Sequence, residues 1–193
     1  MTRIIAGAAR GLGLAVPDAG TRPTSDRVRE SLFGSLETHD LIDGARVLDL
    51  YAGSGALGLE SASRGASAVD LVEKARAAAA VATRNATAVA KATGVSARVH
   101  QTGVLPFLRS STLTWDLVFI DPPYDVTDGE IGDVLTALAP RLSPDAVVIV
   151  ERAKRSPAPD WAAAGMSAMR DKTYGDTTVW WGEPATDESH PQD

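Results

Sequence analysis

Asp121-Pro122-Pro123-Tyr124 is the stretch best equipped for chemistry. The residues before it, 115–120, are apolar, aromatic and β-branched, the signature of a buried strand. Pro122 has no amide donor and restricts the residue before it, so the strand must end there. Asp121 is therefore expected at the carboxyl end of a strand, where open α/β sheets bind their ligands. Two prolines stiffen the turn and aim its carbonyls and the Asp121 carboxylate. Tyr124 adds a flat face beside them. The set suits methylation of an exocyclic amine on a flat base. The lone pair of such an amine is delocalised into the ring and attacks poorly. The Asp121 carboxylate and the Pro122 carbonyl can accept its two N–H bonds and let the nitrogen pyramidalise toward an electrophile, with Tyr124 stacked on the ring. The same residues also fit a plain strand-ending turn capped by an acid, so the rest of the chain must decide.

A second constellation lies upstream. Asp49-Leu50-Tyr51-Ala52-Gly53-Ser54-Gly55 joins a predicted strand to a predicted helix through a glycine-rich turn. Glycines allow the backbone to approach a ligand closely. Glu73 ends the next strand, 20 residues after Gly53, and an acid at that spacing typically binds ribose hydroxyls. An adenosine-containing ligand is predicted. Gly53, Gly55 and Gly58 satisfy the dinucleotide G-x-G-x-x-G pattern, so spacing alone leaves NAD open. Asp49 argues otherwise, because an acid just before the loop would repel a pyrophosphate and suits a cationic, amino-bearing ligand such as S-adenosylmethionine. The Asp121–Tyr124 turn has no role in hydride transfer.

These acids need strands to hold them. Residues 3–6 and 12–16 read as a hairpin around Gly7 and Gly11. A helix follows, with Thr24 as N-cap, Asp26 in its first turn, and Val28, Leu32, Phe33 and Leu36 on one apolar face. Strands are then predicted at 46–51, 67–72, 95–101, 115–120 and 146–151. Helices alternate with them at 56–64, 74–92, 105–109 and 128–142. An antiparallel pair, 166–174 and 177–182, closes the chain. This alternation predicts a doubly wound, mostly parallel α/β sheet with right-handed connections. The expected division is a hairpin-and-helix extension over 1–38, the sheet domain over 39–182, and a disordered acidic tail over 183–193.

Composition narrows the class. A chain of 193 residues with 44% hydrophobic content suits one domain of ordinary size. It has no cysteine, which excludes disulfides and thiolate chemistry. His39, His100 and His190 have no ligand-like spacing, and no metal is expected. The start shows no signal-peptide pattern, and no apolar run approaches a membrane span, so a cytoplasmic monomer is expected. The net charge is −6, but it is uneven. Residues 1–29 carry Arg3, Arg10, Arg22, Arg27 and Arg29 against Asp18 and Asp26, a local charge of +3. Residues 183–193 carry −4.

In that order, residues 47–60, Glu73 and Asp121–Tyr124 resemble the seven-stranded class I S-adenosylmethionine-dependent amino-methyltransferases. The amino end narrows the resemblance. Arg3-Ile4-Ile5-Ala6-Gly7, Arg10-Gly11, the run Arg22-Pro23-Thr24-Ser25-Asp26-Arg27-Val28-Arg29-Glu30-Ser31-Leu32-Phe33 and Lys172-Thr173-Tyr174-Gly175-Asp176-Thr177 are similar to the bacterial 16S rRNA guanine-N2 methyltransferase family. The resemblance implies a seven-stranded sheet and S-adenosylmethionine held by Asp49, Tyr51, Ala52, Gly53, Ser54, Gly55, Glu73 and Lys74. It implies 16S rRNA in the small ribosomal subunit as substrate, with a guanine leaving its stack to meet Asp121, Pro122, Pro123 and Tyr124. The arginines named above would hold phosphates, and the hairpin would not build the cofactor site. Related enzymes often place Asp or Asn after the third strand for the adenine amine. Gln101-Thr102-Gly103-Val104 stands there instead, so Gly103 and Val104 would act through backbone groups. Two other readings stay open: a non-catalytic S-adenosylmethionine-binding RNA module, and a methyltransferase acting on DNA adenine or cytosine.

Overall fold

A computed structural model describes residues 2–17 and 26–185. The sheet comes from five strands alternating with four helices: β3 (Arg46–Leu50), α2 (Ala56–Ser63), β4 (Ala68–Val72), α3 (Arg76–Thr93), β5 (Ser96–His100), α4 (Val104–Ser110), β6 (Trp115–Ile120), α5 (Asp128–Leu138) and β7 (Leu142–Ala153). The strands β8 (Met166–Tyr174) and β9 (Thr177–Pro184) add an antiparallel edge. The seven-stranded order is β5-β4-β3-β6-β7-β9-β8. β3, β4, β5, β6 and β7 are parallel. The chain winds outward from β3 to β5, then crosses to β6 on the other side of β3. That reversal opens a crevice at the carboxyl ends of β3 and β6, the place where such sheets bind ligands. Leu50 is in register with both Val72 and Ile120, so Tyr51, Glu73 and Asp121 leave three adjacent strands at one level.

The sheet is buried on both faces, which its apolar strands require. One core joins Val47, Phe119 and Ile149 to Leu59, Val89, Phe33 and Leu36. The other joins Leu48, Ile120 and Val150 to Phe107, Trp115 and Leu135. Phe33 and Leu36 belong to α1 (Asp26–Thr38), and the first core also takes Ile4 and Leu14 from the hairpin. The amino-terminal extension thus shares its core with the sheet.

The structure corrects four expected boundaries. The hairpin ladder is only β1 (Thr2–Arg3) with β2 (Gly13–Leu14). Ile4 still bonds the other arm, its amide donating to the Leu12 carbonyl and its carbonyl accepting from Gly11 (both 2.9 Å), but beyond it Ile5 and Ala6 donate to Glu60 (2.8 and 3.0 Å), and Ala15 donates to Asn85 (2.9 Å). α5 ends at Leu138, not at 142, since Pro140, inside the 3-10 turn Ala139–Arg141 that follows, has no amide to continue the helix. β7 begins four residues earlier than expected, because Leu142 already pairs with Trp115. β9 runs through Glu183 and Pro184, opposite Ser167 and Met166, so the start of the expected tail is strand. Thr24, Arg22 and residues 186–193 lie outside the described residues.

Candidate active site

The glycine loop is built for close approach. Gly53 (φ 56°) and Gly55 (φ 81°) take left-handed conformations that side chains disfavour. A Cβ on Gly53 would meet nothing within 4 Å, so that side of the loop is open. A Cβ on Gly58 would lie 2.5 Å from Leu71 Cδ2 and 2.9 Å from Val69 Cγ1, so this glycine lets α2 press on β4. Tyr51 is left-handed without being glycine (φ 62°), a strain of roughly 1–3 kcal/mol that clusters at functional sites. Ala52 is buried beside it, and its amide donates to the Val72 carbonyl (3.0 Å).

Three carboxylates converge on this loop. Asp49 is 2% exposed and accepts the Gly58 amide at 2.9 Å, at the first turn of α2. Burial pushes its carboxyl up to about 8. The Gly58 hydrogen bond opposes this, and the nearby charges of Asp121 and Glu73 add to it. Glu73 is half-buried and ties the loop to the start of α3, accepting Gly53 N–H at 2.9 Å and Ala75 N–H at 2.7 Å. Lys74 beside it is exposed. The Glu73 amide donates to the His100 carbonyl (3.1 Å), which brings the segment 101–104 alongside; Gly103 is half-buried there and Val104 buried.

A buried acid that stays protonated to about pH 8 has a consequence for stability. Unfolded Asp49 ionises near 4, so between about pH 4 and 8 the folded state holds the extra proton and stability declines as pH rises. Asp49→Asn removes that decline while keeping an acceptor for Gly58. At pH 4 the variant should melt close to the unmodified protein. At pH 8 it should melt at least about 2–4 °C higher, the shift for roughly 1 kcal/mol in a chain of this size. Parallel melting curves across the range would contradict a neutral buried Asp49.

The turn after β6 faces the loop across the crevice. Asp121 and Pro122 are half-buried, Pro123 is exposed, and Tyr124 is 77% exposed. The Val126 amide donates to the Pro123 carbonyl at 3.1 Å and closes the turn. Its far end is fixed by a reciprocal cap in which Thr127 and Glu130 each bond the other's backbone. Arg152 clamps the same end: Nη1 donates to the Val126 carbonyl (2.9 Å) and Nη2 to Asp128 Oδ1 (2.7 Å). Thr127-x-x-Glu130 was legible as a capping pattern, whereas Arg152 reaches the turn from another strand and carries no local signal.

The basic residues separate. Arg3, Arg10 and Arg27 are exposed. Arg29 is 1% exposed and cannot meet a phosphate: it donates to the Arg3 carbonyl (2.9 Å) and Asp26 (2.8 Å), and lies 4.0 Å from buried Glu60. The hairpin is tied to the glycine loop. Asn85 Nδ2 donates to both the Ala15 and Ser54 carbonyls at 2.9 Å, linking the two.

A family model described as "Conserved hypothetical protein 95" matches residues 2–183. The chain is 38% identical over 176 residues to ribosomal RNA small subunit methyltransferase D of Escherichia coli K12, covering 90% of this chain and 85% of that one. The Haemophilus influenzae protein of the same name is 37% identical over 90% of this chain and 89% of its own length. The solved structure of yhhF from Escherichia coli superposes with a TM-score of 0.79 at 33% identity, covering 94% of this chain and 97% of that one.

Proposed function

The chain belongs to the family described as Conserved hypothetical protein 95, and from that membership we propose that it is an rRNA methyltransferase. In finer terms, it moves a methyl group from S-adenosylmethionine to the exocyclic N2 amine of a guanine in 16S rRNA of the small ribosomal subunit. The observation that carries this reading is the convergence of Asp49, Glu73 and Asp121 around an open glycine loop. Glu73 and Asp121 put negative charge around that loop, which repels a pyrophosphate and attracts a cation and so separates S-adenosylmethionine from NAD despite the shared glycine spacing.

The residues present fit the cofactor. Open space at Gly53 admits it, Glu73 is placed for ribose hydroxyls, and Asp49, neutral at about pH 7 on its own, would give up its proton beside an ammonium or sulfonium. When bound, S-adenosylmethionine supplies an electrophilic methyl group. Asp121 and the Pro122 carbonyl accept the amine's two N–H bonds, and Tyr124 stacks on the base. Orientation then supplies most of the rate. The amine becomes acidic only as the C–N bond forms, so no strong base is needed beforehand, and Asp121 or water takes the released proton. The exposed Arg3, Arg10 and Arg27 are available to phosphates.

Calorimetry with S-adenosylhomocysteine tests the cofactor half. Binding is expected, and Glu73→Ala should weaken it by about 1–3 kcal/mol, the cost of losing hydrogen bonds to a charged acceptor. Binding of NAD as tightly as S-adenosylhomocysteine would contradict the assignment.

A further inference from the structure

We propose that the seam between α1 and the outer strand β8 is a second phosphate-binding surface for the RNA substrate, formed by Arg27, Lys172 and Arg170; this rests on the rRNA reading above. Register places Arg170, Lys172 and Tyr174 opposite Trp181, Val179 and Thr177, on one face of the sheet. α1 covers that face with hydroxyls, not carboxylates. Arg170 Nη2 donates to Ser35 Oγ at 2.7 Å and its guanidinium lies 3.9 Å from the Trp181 ring. Lys172 Nζ lies 3.2 Å from Ser31 Oγ and 5.0 Å from the Tyr174 ring. Arg27 is one turn before Ser31 on the same helix face. All three cations are exposed, and among the described residues none has a carboxylate at ion-pairing distance. Glu30, Asp171 and Asp176 are near in sequence but pair with none of them, and Asp26 pairs with Arg29. In a chain of net charge −6, such a row is unexpected unless an external anion meets it.

The seam also leads to the right place. Ala153 pairs with Thr177, and Thr177 with Tyr174, so the β8–β9 tip lies at the same end of the sheet as Ile120 and the Asp121 turn. The Lys154 amide donates to the Asp176 carbonyl at 2.8 Å and fixes that tip. β8 is three strand spacings from β6, about 14 Å. The only acid of β9, Glu183, is at the opposite end, across from Ser167. An RNA strand with a base in the crevice would therefore run its backbone over Tyr174 toward Lys172 and Arg170. The hydroxyls and rings hold the cations in place without neutralising them, which suits a phosphate contact and not a structural ion pair.

The test uses the full chain with 30S subunits. Arg170→Gln/Lys172→Gln should raise KM about tenfold or more, leave kcat within about twofold, and flatten the salt dependence of binding by about 0.7 for each lost phosphate contact. Lys172→Gln alone touches only the half-buried Ser31 hydroxyl, which keeps its bond to the Tyr174 hydroxyl, and a ring face, and should give the same direction with about half the change in slope. Arg170→Lys/Lys172→Arg should restore the slope. Lys91→Gln/Arg98→Gln, at the other side of the sheet, should change nothing. S-adenosylhomocysteine affinity and melting temperature identify a misfolded variant. Unchanged KM and slope in folded Lys172→Gln would overturn the seam while leaving methyl transfer intact. Failure of the unmodified protein to methylate rRNA would overturn the underlying reading and the seam with it.

Discussion

Asp121→Ala should lower single-turnover methyl transfer to the 30S subunit by about 10²–10³, the usual cost of losing one preorganised electrostatic contact. Asp121 leaves β6 one residue past Ile120, at the level of Tyr51 on β3, and feels the Asp49 carboxyl across the crevice. With alanine there, the Pro122 carbonyl alone orients the amine and the lone pair drifts out of line. Cofactor binding should survive, because Asp49 and Glu73 are untouched. Asp121→Asn keeps one acceptor oxygen and should retain more activity than alanine. Tyr124→Phe should be mild, since the ring remains, and Tyr124→Ala severe. The 77% exposure of Tyr124 makes the last comparison clean, because neither change disturbs the core. Transfer by Asp121→Ala at the unmodified rate would remove the turn from the chemistry.

Glu60→Ala should cost about 3–5 kcal/mol of stability, with a fall in melting temperature on the order of 10 °C. Glu60 is fully buried on α2 and accepts from Ile5 N–H, Ala6 N–H and Arg64 Nε (2.8, 3.0 and 2.7 Å). Arg29, 1% exposed, faces it at 4.0 Å. Removing the carboxylate leaves two buried guanidiniums short of an acid and two amides short of an acceptor, and it loosens the hairpin, which keeps its bonds to Ser63 and Asn85. Glu60→Gln should cost less, since an oxygen remains for one amide. The effect on transfer should follow the fold, with kcat preserved in the fraction that stays folded. A Glu60→Ala melt within a degree or two of the unmodified protein would show that the hairpin is held otherwise.

The strand-end acids were more legible than the contacts that hold them. Asp49, Glu73 and Asp121 were readable because strand ends are marked locally, by a glycine turn, by spacing and by a proline. The doubly wound, mostly parallel sheet followed from strand–helix alternation. Arg29 was misread as a surface cation although its helix position was informative: Leu32, Phe33 and Leu36 follow it at three, four and seven residues, which puts it on the buried face. What could not be read was its partner, since Glu60 is on another helix. The partners of the hairpin's outer amides were hidden in the same way, since Ile5, Ala6 and Ala15 donate to Glu60 and Asn85 on other elements. Asn85 looked like one polar residue in an alanine-rich helix, yet it ties the hairpin to the glycine loop. Pro140 was a visible stop signal within a run of helix-favouring residues, and the helix does end before it.

The central claim is best tested by the identity of the methylated nucleoside. Small subunits lacking the modification, and naked 16S rRNA, would be incubated with the purified protein and labelled S-adenosylmethionine, then digested to nucleosides and mapped. The account predicts label in N2-methylguanosine at a single position, abolished or strongly reduced by Asp121→Ala. Label in N6-methyladenosine or a methylated cytosine, or no label in either RNA, would contradict it.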